Sequence, residues 1–101
     1  MSGLLGLLGL GLRGGNLVVG VDGVRSAIRQ GKCRCVVLAS DASGRVDEKV
    51  VRLAEGRKIP RIVGPDALAM GRALGRPPVM AVGVLDSALA RGVLQLGGSE
   101  T

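Results

Sequence analysis

The sequence contains no histidine and no aromatic residue, so Phe, Trp and Tyr are all missing. Without histidine, no side chain titrates near neutral pH unless it is perturbed, and no Ser-His or Cys-His nucleophile pair can form. Without aromatic rings, the bases of a single strand have no side-chain platform on which to stack. These absences argue against a general acid–base enzyme and against an aromatic reader of single strands. We therefore predict a non-enzymatic protein with no catalytic residue.

Cysteine is also scarce, since Cys33 and Cys35 are the only two. A C-x-C pair supplies two of the four ligands of a structural zinc site, and no histidine completes the set. On a strand, residues two apart point to the same face, so we interpret the pair as buried apolar thiols. The motif Gly9-x-Gly11-x-x-Gly14 resembles a dinucleotide fingerprint, but the residues before it look helical instead of extended. We predict neither a metal nor a cofactor.

No apolar run is long enough to span a bilayer. The first twelve residues, MSGLLGLLGLGL, contain an apolar run of about ten residues, against about 20 needed. No basic segment precedes the run and no small-residue cleavage site follows it. We interpret it as a short core helix in which Gly3, Gly6 and Gly9 form a small-residue stripe for close packing. We expect a cytoplasmic protein with no membrane partner.

What the sequence does contain is aliphatic residues, glycine and positive charge. Its 101 residues include 18 glycines, 47% are hydrophobic, and 14 Lys and Arg face 8 Asp and Glu, which gives a net charge of +6. The length fits one domain with a single core. A strongly basic balance favours a polyanionic partner, although the same charge also keeps an apolar chain soluble.

Hydrophobic periodicity alternates between helical and extended patterns along the chain. After the first helix, it predicts strands at residues 17–19, 35–39, 61–63 and 79–84. It predicts helices at residues 22–30, 45–55 and 65–74, with Pro65 in the first helical position, and a last helix capped by Asp86. This order predicts an α/β fold, a single-domain three-layer α/β/α sandwich with a central, mixed four-stranded sheet. We expect the domain to cover residues 1–96, with a loose tail at 97–101.

One helix has the pattern of a phosphate-binding element. Arg25, Arg29 and Lys32 follow one another at i, i+4 and i+7, which predicts one basic stripe opposite the apolar face. The helix begins within Gly20-Val21-Asp22-Gly23, where glycine permits close backbone approach and free N–H groups carry the positive end of the helix dipole. Such an arrangement is suited to phosphate. The alternative is an ordinary solvated face.

A second candidate element is the loop that follows the fourth helix. Arg72 and Arg76 flank the end of that helix, and Pro77-Pro78 makes the loop stiff. Its apolar tip, Pro78-Val79, would press on a splayed base in a chain that has no aromatic ring. The alternative is a simple connection between helix and strand. Periodicity does not tell whether this loop lies near Gly20.

Several separated motifs share their order and spacing with those of a known protein family. They are, in order, Leu7-Leu8-Gly9-Leu10, Arg13-Gly14-Gly15-Asn16-Leu17-Val18, Ala27-Ile28-Arg29-Gln30-Gly31-Lys32, Val37-Leu38-Ala39-Ser40-Asp41-Ala42-Ser43, Ile59-Pro60 and Gly71-Arg72-Ala73-Leu74-Gly75. Over roughly residues 4 to 96, the chain resembles the bacterial YlxQ-type branch of the ribosomal L7Ae/L30e family. The resemblance implies a three-layer α/β/α domain that binds kink-turn RNA as a ribonucleoprotein component.

The resemblance also implies where the RNA would bind. In that family, a Gly-Thr-Asn-Glu-like turn and a following Lys read tandem sheared G·A pairs, and a loop before the last strand covers a flipped-out nucleotide. Here the matching positions are Gly20, Val21, Asp22, Gly23 and Ser26, and the covering loop is Arg76-Pro77-Pro78-Val79.

Three of these positions depart from the family's pattern. Asp22 stands in place of Asn, Gly23 in place of Glu, and Ser26 in place of Lys. The Asp carboxylate repels phosphate, and Gly23 offers only its backbone. We expect backbone binding to persist through Arg25 and Arg29 while discrimination of RNA shape weakens. The alternative function is a protein-interaction module that has kept the fold and lost specific RNA recognition.

Overall fold

The computed structural model describes residues 3–98, in which five helices alternate with four strands. The elements are α1 (Gly3–Arg13), β1 (Leu17–Val19), α2 (Val21–Arg29), β2 (Cys35–Leu38), α3 (Gly44–Gly56), β3 (Arg61–Val63), α4 (Ala67–Leu74), β4 (Ala81–Val84) and α5 (Ser87–Gly98). The predicted order is confirmed. Helix α5 extends two residues into the expected loose tail, and the rest of that tail, residues 99–101, lies outside the described residues.

The four strands form one mixed sheet in the order β1-β4-β2-β3. Strand β4 runs antiparallel to both β1 and β2, whereas β2 and β3 are parallel. Two separate apolar clusters lie on the two faces of this sheet, one with α1, α4 and α5 and the other with α2 and α3. The predicted three-layer α/β/α sandwich and its mixed four-stranded sheet are therefore confirmed.

Strand β2 is central, and every residue in it is buried because helices cover both faces. Its side chains alternate between the two clusters: Cys35 and Val37 face α1, α4 and α5, while Val36 and Leu38 face α2 and α3. The expectation that Cys33 shares a face with Cys35 is wrong. Cys33 precedes the strand, so it does not follow the alternation, and it lies in the cluster with α2 and α3.

Close packing of α1 depends on a glycine outside the expected stripe. A Cβ built on Gly6 or Gly9 would meet nothing within 4 Å, whereas one on Gly3 would lie 3.2 Å from Leu96. The tightest position is Gly11, which is buried and where a Cβ would lie 2.5 Å from Cδ2 of Leu89 on α5. The small residue that brings the two helices together is thus Gly11.

Two element boundaries near α4 differ from the predicted ones. Pro65 is not the first helical residue, because Asp66 is the N-cap and its carboxylate accepts a hydrogen bond from the Ala69 N–H at 2.8 Å. Strand β4 begins at Ala81 instead of residue 79, since the Val79 N–H donates to the Ala67 carbonyl on α4 at 3.0 Å. Val79 is nevertheless buried. Across residues 3–98, no helix combines the length and apolarity needed to cross a membrane.

Candidate functional site

Helix α2 begins at a glycine whose backbone a residue with a Cβ rarely adopts. Gly20 has φ 99° and ψ 156°, and its N–H donates to the Ala81 carbonyl at the start of β4 at 2.9 Å. Its own carbonyl accepts the first helical hydrogen bond, from the Val24 N–H at 3.0 Å. No side chain caps this end of the helix. The N–H groups of residues 21–23 are therefore left for an external acceptor, at the positive end of the helix dipole.

The loop after α4 is fixed by two glycines. Gly75 has φ 67° and ends the helix, and the Arg76 N–H turns back to the Gly71 carbonyl at 2.8 Å. A Cβ on Gly71 would fall against the Pro77 carbonyl and within 2.8 Å of the Arg76 oxygen. Only a residue without a side chain lets this loop lie so close to α4. The loop is therefore held in one place, with Pro77 and Pro78 exposed at its tip.

The structure brings the start of α2 and this loop together, which the sequence does not show. Together they line an open cavity of about 320 Å³ at the N-terminus of α2, which we call the N-terminal cavity. Its lining residues are Val19, Gly20, Val21, Arg76, Pro77, Pro78, Val79 and Met80. The pairing of β1 with β4 explains the proximity, since one segment follows β1 and the other precedes β4. The cavity thus combines an apolar wall, a cation and open backbone amides.

The cations near α2 are not neutralised by acidic neighbours. Among the side chains that the structure describes, the only ion pair joins Arg61 to Glu55, at 3.2 Å. Arg25 is half-buried, and its Nε is hidden from solvent without a hydrogen-bond partner. Arg76 is exposed at the N-terminal cavity, and the single acid in the first turn of α2 is Asp22, which is also exposed. The local balance is therefore positive.

Other predicted site residues lie apart from the N-terminal cavity. Arg72 is exposed on α4 but does not line the cavity, and Arg29 is exposed at the last residue of α2. Gly23 and Ser26 lie on α2, and the Ser26 hydroxyl accepts a hydrogen bond from the Gln30 side chain at 2.9 Å.

The expected position of Lys32 on the α2 stripe is wrong. Helix α2 ends at Arg29, and Gly31 adopts φ 74°. The N–H groups of Gly31 and Lys32 donate to the carbonyls of Ile28 and Ala27, both at 3.0 Å, which closes the helix and reverses the chain. Lys32 is exposed beyond this turn, so it does not continue the spacing of Arg25 and Arg29.

A second cavity, which was not among the predicted sites, lies at the C-terminal end of α2. Its volume is also about 320 Å³, and we call it the C-terminal cavity. It is lined by Ile28, Gly31, Cys33, Arg34, Arg57, Lys58, Ile59 and Pro60. Two features of the sequence could have indicated this cavity. The basic pair Arg57-Lys58 comes just after a helix, and the strands β2 and β3 are parallel, so that both begin at the same side of the sheet.

The two cysteines are protonated, buried thiols. Burial raises the pKa of Cys35 to about 12 and also raises that of Cys33. The Cys33 thiol donates to the Cys35 carbonyl at 3.2 Å. Since a nucleophilic cysteine needs a thiolate, neither has the character of a reactive residue. Within residues 3–98, no three His, Cys, Asp or Glu side chains gather as metal ligands would.

Comparison with known proteins gives consistent matches over nearly the whole chain. The profile of the family described as "Ribosomal protein L7Ae/L30e/S12e/Gadd45 family" matches residues 4–93. The RNA-binding protein YlxQ of Bacillus subtilis is 32% identical over 98 residues, which are 95% of this chain and 98% of that protein.

Two solved structures share the fold. A protein of unknown function from Bacillus halodurans matches with a TM-score of 0.92 and 30% identity, covering 97% of this chain and 99% of that one. The Giardia lamblia 15.5kD RNA binding protein matches with a TM-score of 0.75 and 23% identity, covering 95% and 82% of the two chains. At that identity, the second match bears on the fold alone.

Proposed function

Because the chain belongs to the ribosomal protein L7Ae/L30e/S12e/Gadd45 family, we propose that it is a non-enzymatic, cytoplasmic protein that binds structured RNA through the N-terminal cavity. A relative that matches it over nearly its full length, in Bacillus subtilis, is named an RNA-binding protein. The observation that carries the proposal is that the N-terminus of α2 and the loop at residues 76–79 line the same open cavity.

Each part of the cavity matches one part of a nucleotide. The open amides of residues 21–23 point to an anionic or carbonyl acceptor, as helix N-termini do for phosphate. The apolar wall made by Val21, Pro78 and Val79 offers contact for a base that has left its stack. Arg76 supplies a cation beside that wall, and Arg25, which does not line the cavity, adds the positive charge of its guanidinium on α2. A volume of about 320 Å³ suits one base and not a duplex.

The finer proposal is that the RNA is a kink-turn, in ribosomal or other structured RNA. Discrimination between a kink-turn and a plain duplex should be weaker than the family's pattern implies, because three positions lack its side chains. Gly23 contributes none, and Ser26 already accepts a hydrogen bond from Gln30. Asp22 places a negative charge in the first turn of α2, where phosphate would approach.

The test compares fluorescence anisotropy on a kink-turn RNA and on an uninterrupted duplex of the same length, over a range of salt. We expect tighter binding to the kink-turn. For Arg76→Gln, we expect the slope of log affinity against log salt to fall by about one, the contribution of one phosphate contact. The matched control is Arg91→Gln, an exposed arginine on α5, which lies across the sheet from α2 and does not line the cavity.

The outcomes separate the two levels of the proposal. Equal affinity for both RNAs, with a reduced slope for Arg76→Gln, would leave RNA binding at this cavity and overturn kink-turn recognition. Equally weak binding to both, with Arg76→Gln indistinguishable from Arg91→Gln, would overturn RNA binding at this cavity. That result would favour a protein-interaction module that has kept the fold.

A further inference from the structure

The C-terminal cavity has the composition of an anion site. Three of its eight lining residues, Arg34, Arg57 and Lys58, are basic, and none is acidic. All three are exposed. The nearest acid in sequence, Glu55, is engaged with Arg61. No described acid therefore pairs with the three cations that line this cavity.

Arg57 offsets the partial negative charge of the carbonyls at the end of α2, which would otherwise repel an anion from this cavity. The carbonyls at the end of α2 carry the negative end of the helix dipole. Arg57 donates through Nη1 to the Ile28 carbonyl at 3.1 Å and lies 3.4 Å from the Arg29 carbonyl. Because Arg57 is engaged in this way, Arg34 and Lys58 are the side chains left for a ligand.

Hydrogen bonds fix the backbone positions from which Lys58 and Arg34 extend their side chains into the C-terminal cavity. Lys58 has φ 57°, a left-handed conformation that is uncommon for a residue with a side chain. It is kept there by the hydrogen bond from its N–H to the Glu55 carbonyl at 3.1 Å and by that from the Ile59 N–H to the Ala54 carbonyl at 2.9 Å. The Arg34 N–H donates to the Val84 carbonyl at 2.6 Å, which fixes its backbone at the end of β4.

The two cavities lie at opposite ends of one short helix. The N-terminal cavity is at the edge where β1 ends and β4 begins, and the C-terminal cavity is at the edge where β2 and β3 begin. The nine residues of α2 span about 13 Å at about 1.5 Å per residue, so only the length of this short helix separates the two cavities. One RNA helix leaving the N-terminal cavity along α2 would therefore pass the C-terminal cavity.

We propose that the C-terminal cavity is a second RNA contact, in which Arg34 and Lys58 bind a backbone phosphate of the same RNA. This inference rests on the proposed function, since it extends the RNA surface from one end of α2 to the other. The contact would be independent of sequence, because it reaches phosphate and no base edge. It would add to affinity and to salt dependence without adding to kink-turn preference.

The test measures the salt dependence of binding for Arg34→Gln and Lys58→Asn, each compared with Arg91→Gln. Asparagine at position 58 tolerates the left-handed backbone, and Arg57 is left intact so that α2 keeps its cap. We expect the slope of log affinity against log salt to fall by about one for each of the two variants, on kink-turn and duplex RNA alike. Circular dichroism checks that each variant is folded.

Three results would overturn the inference, and they are distinguishable. If the wild type binds neither RNA, the proposed function fails and this contact fails with it. If the wild type binds RNA and both variants behave as Arg91→Gln does, the second contact is wrong while the N-terminal cavity stands. If inorganic phosphate shifts the amide resonances of residues 57–59 but the salt slopes are unchanged, the cavity binds free phosphate instead of RNA.

Discussion

The two ends of α2 offer an anion different chemical groups. At its start, Gly20 leaves backbone amides open, and the neighbouring wall is apolar apart from Arg76. At its end, the turn at Gly31 and the Arg57 side chain hydrogen-bond the last carbonyls of the helix. The donors that remain are the long side chains of Arg34 and Lys58. Fixed amides beside an apolar wall can select a shape, whereas flexible cations in an open cavity mainly attract charge. The first end is therefore suited to discrimination and the second to affinity.

The difference arises from glycines placed where the backbone needs them. Gly20 and Gly31 both have positive φ, but Gly20 opens a helix and exposes its amides, while Gly31 closes one and satisfies its carbonyls. Gly71 has another role, since it lets the loop at residues 76–79 approach α4. The N-terminal cavity thus depends on backbone geometry, and the C-terminal cavity depends on charge.

At neutral pH, the largest effect that we predict comes from filling the space at Gly71. Gly71→Ala places a methyl group against the Pro77 and Arg76 carbonyls, and should lower the free energy of unfolding by about 2–3 kcal/mol. Chemical denaturation measures it. The matched control is Gly23→Ala, whose Cβ would lie at an ordinary 3.6 Å from Val18 and which should gain up to about 1 kcal/mol from helix propensity. Equal effects of the two variants would show that the loop is not held by this approach.

High pH should destabilise the fold through its buried thiols. Because burial raises the pKa of Cys35 to about 12, this thiol stays protonated in the folded state when the unfolded chain has already lost the proton. Its contribution is complete below about pH 8.5 and is lost between about pH 8.5 and 12, by up to about 1.4 kcal/mol per pH unit. Cys35→Val, which replaces the thiol by a slightly larger side chain that does not ionise, should show a shallower decline in thermal stability over this window. Parallel curves for the wild type and Cys35→Val would contradict the assignment.

A smaller loss is expected from removing the cap at the end of α2. Arg57→Ala removes the hydrogen bonds to the Ile28 and Arg29 carbonyls, and should cost about 1 kcal/mol of unfolding free energy. Arg91→Ala, which truncates an exposed arginine with no such partner, should change stability by less than about 0.5 kcal/mol. Both values come from urea denaturation. A loss no larger than that of Arg91→Ala would mean that α2 does not depend on this cap.

The smallest effect is expected from Asp22→Asn, which should lower the stability of the fold and raise the affinity for RNA. Asp22→Asn removes an acid from the first turn of α2, where it favours the helix by about 0.3–1 kcal/mol. The same change removes repulsion of phosphate, so RNA affinity should rise by about two- to fivefold while thermal stability falls slightly. Glu48→Gln, an exposed acid on α3, is the charge-matched control and should leave affinity unchanged. Equal gains from both variants would mean that Asp22 is not at the binding surface.

The order of elements and the sheet class followed from periodicity and from glycine and proline punctuation, because these signals are local. The wrong or missing predictions concern positions that depend on how the chain turns and folds back on itself. Helical spacing placed Lys32 on the stripe of Arg25 and Arg29 although the predicted helix ended at residue 30, and the positive φ of Gly31 turns the chain away before Lys32. The alternation rule was applied to Cys33 as well as Cys35, but Cys33 precedes β2 and therefore does not follow the alternation of the strand. The proximity of Gly20 to the loop at residues 76–79 depends on the pairing of β1 with β4. The paired residues lie more than 60 positions apart in the sequence, so no local pattern predicts that they are neighbours.

The central claim is most directly tested by NMR footprinting of the ¹⁵N-labelled protein with a kink-turn RNA. The account predicts the largest amide shifts at residues 20–23 and 76–80, with a second, salt-sensitive group at residues 57–59. Largest shifts on α1 and α5, in the layer across the sheet, or no shifts at saturating RNA, would contradict it.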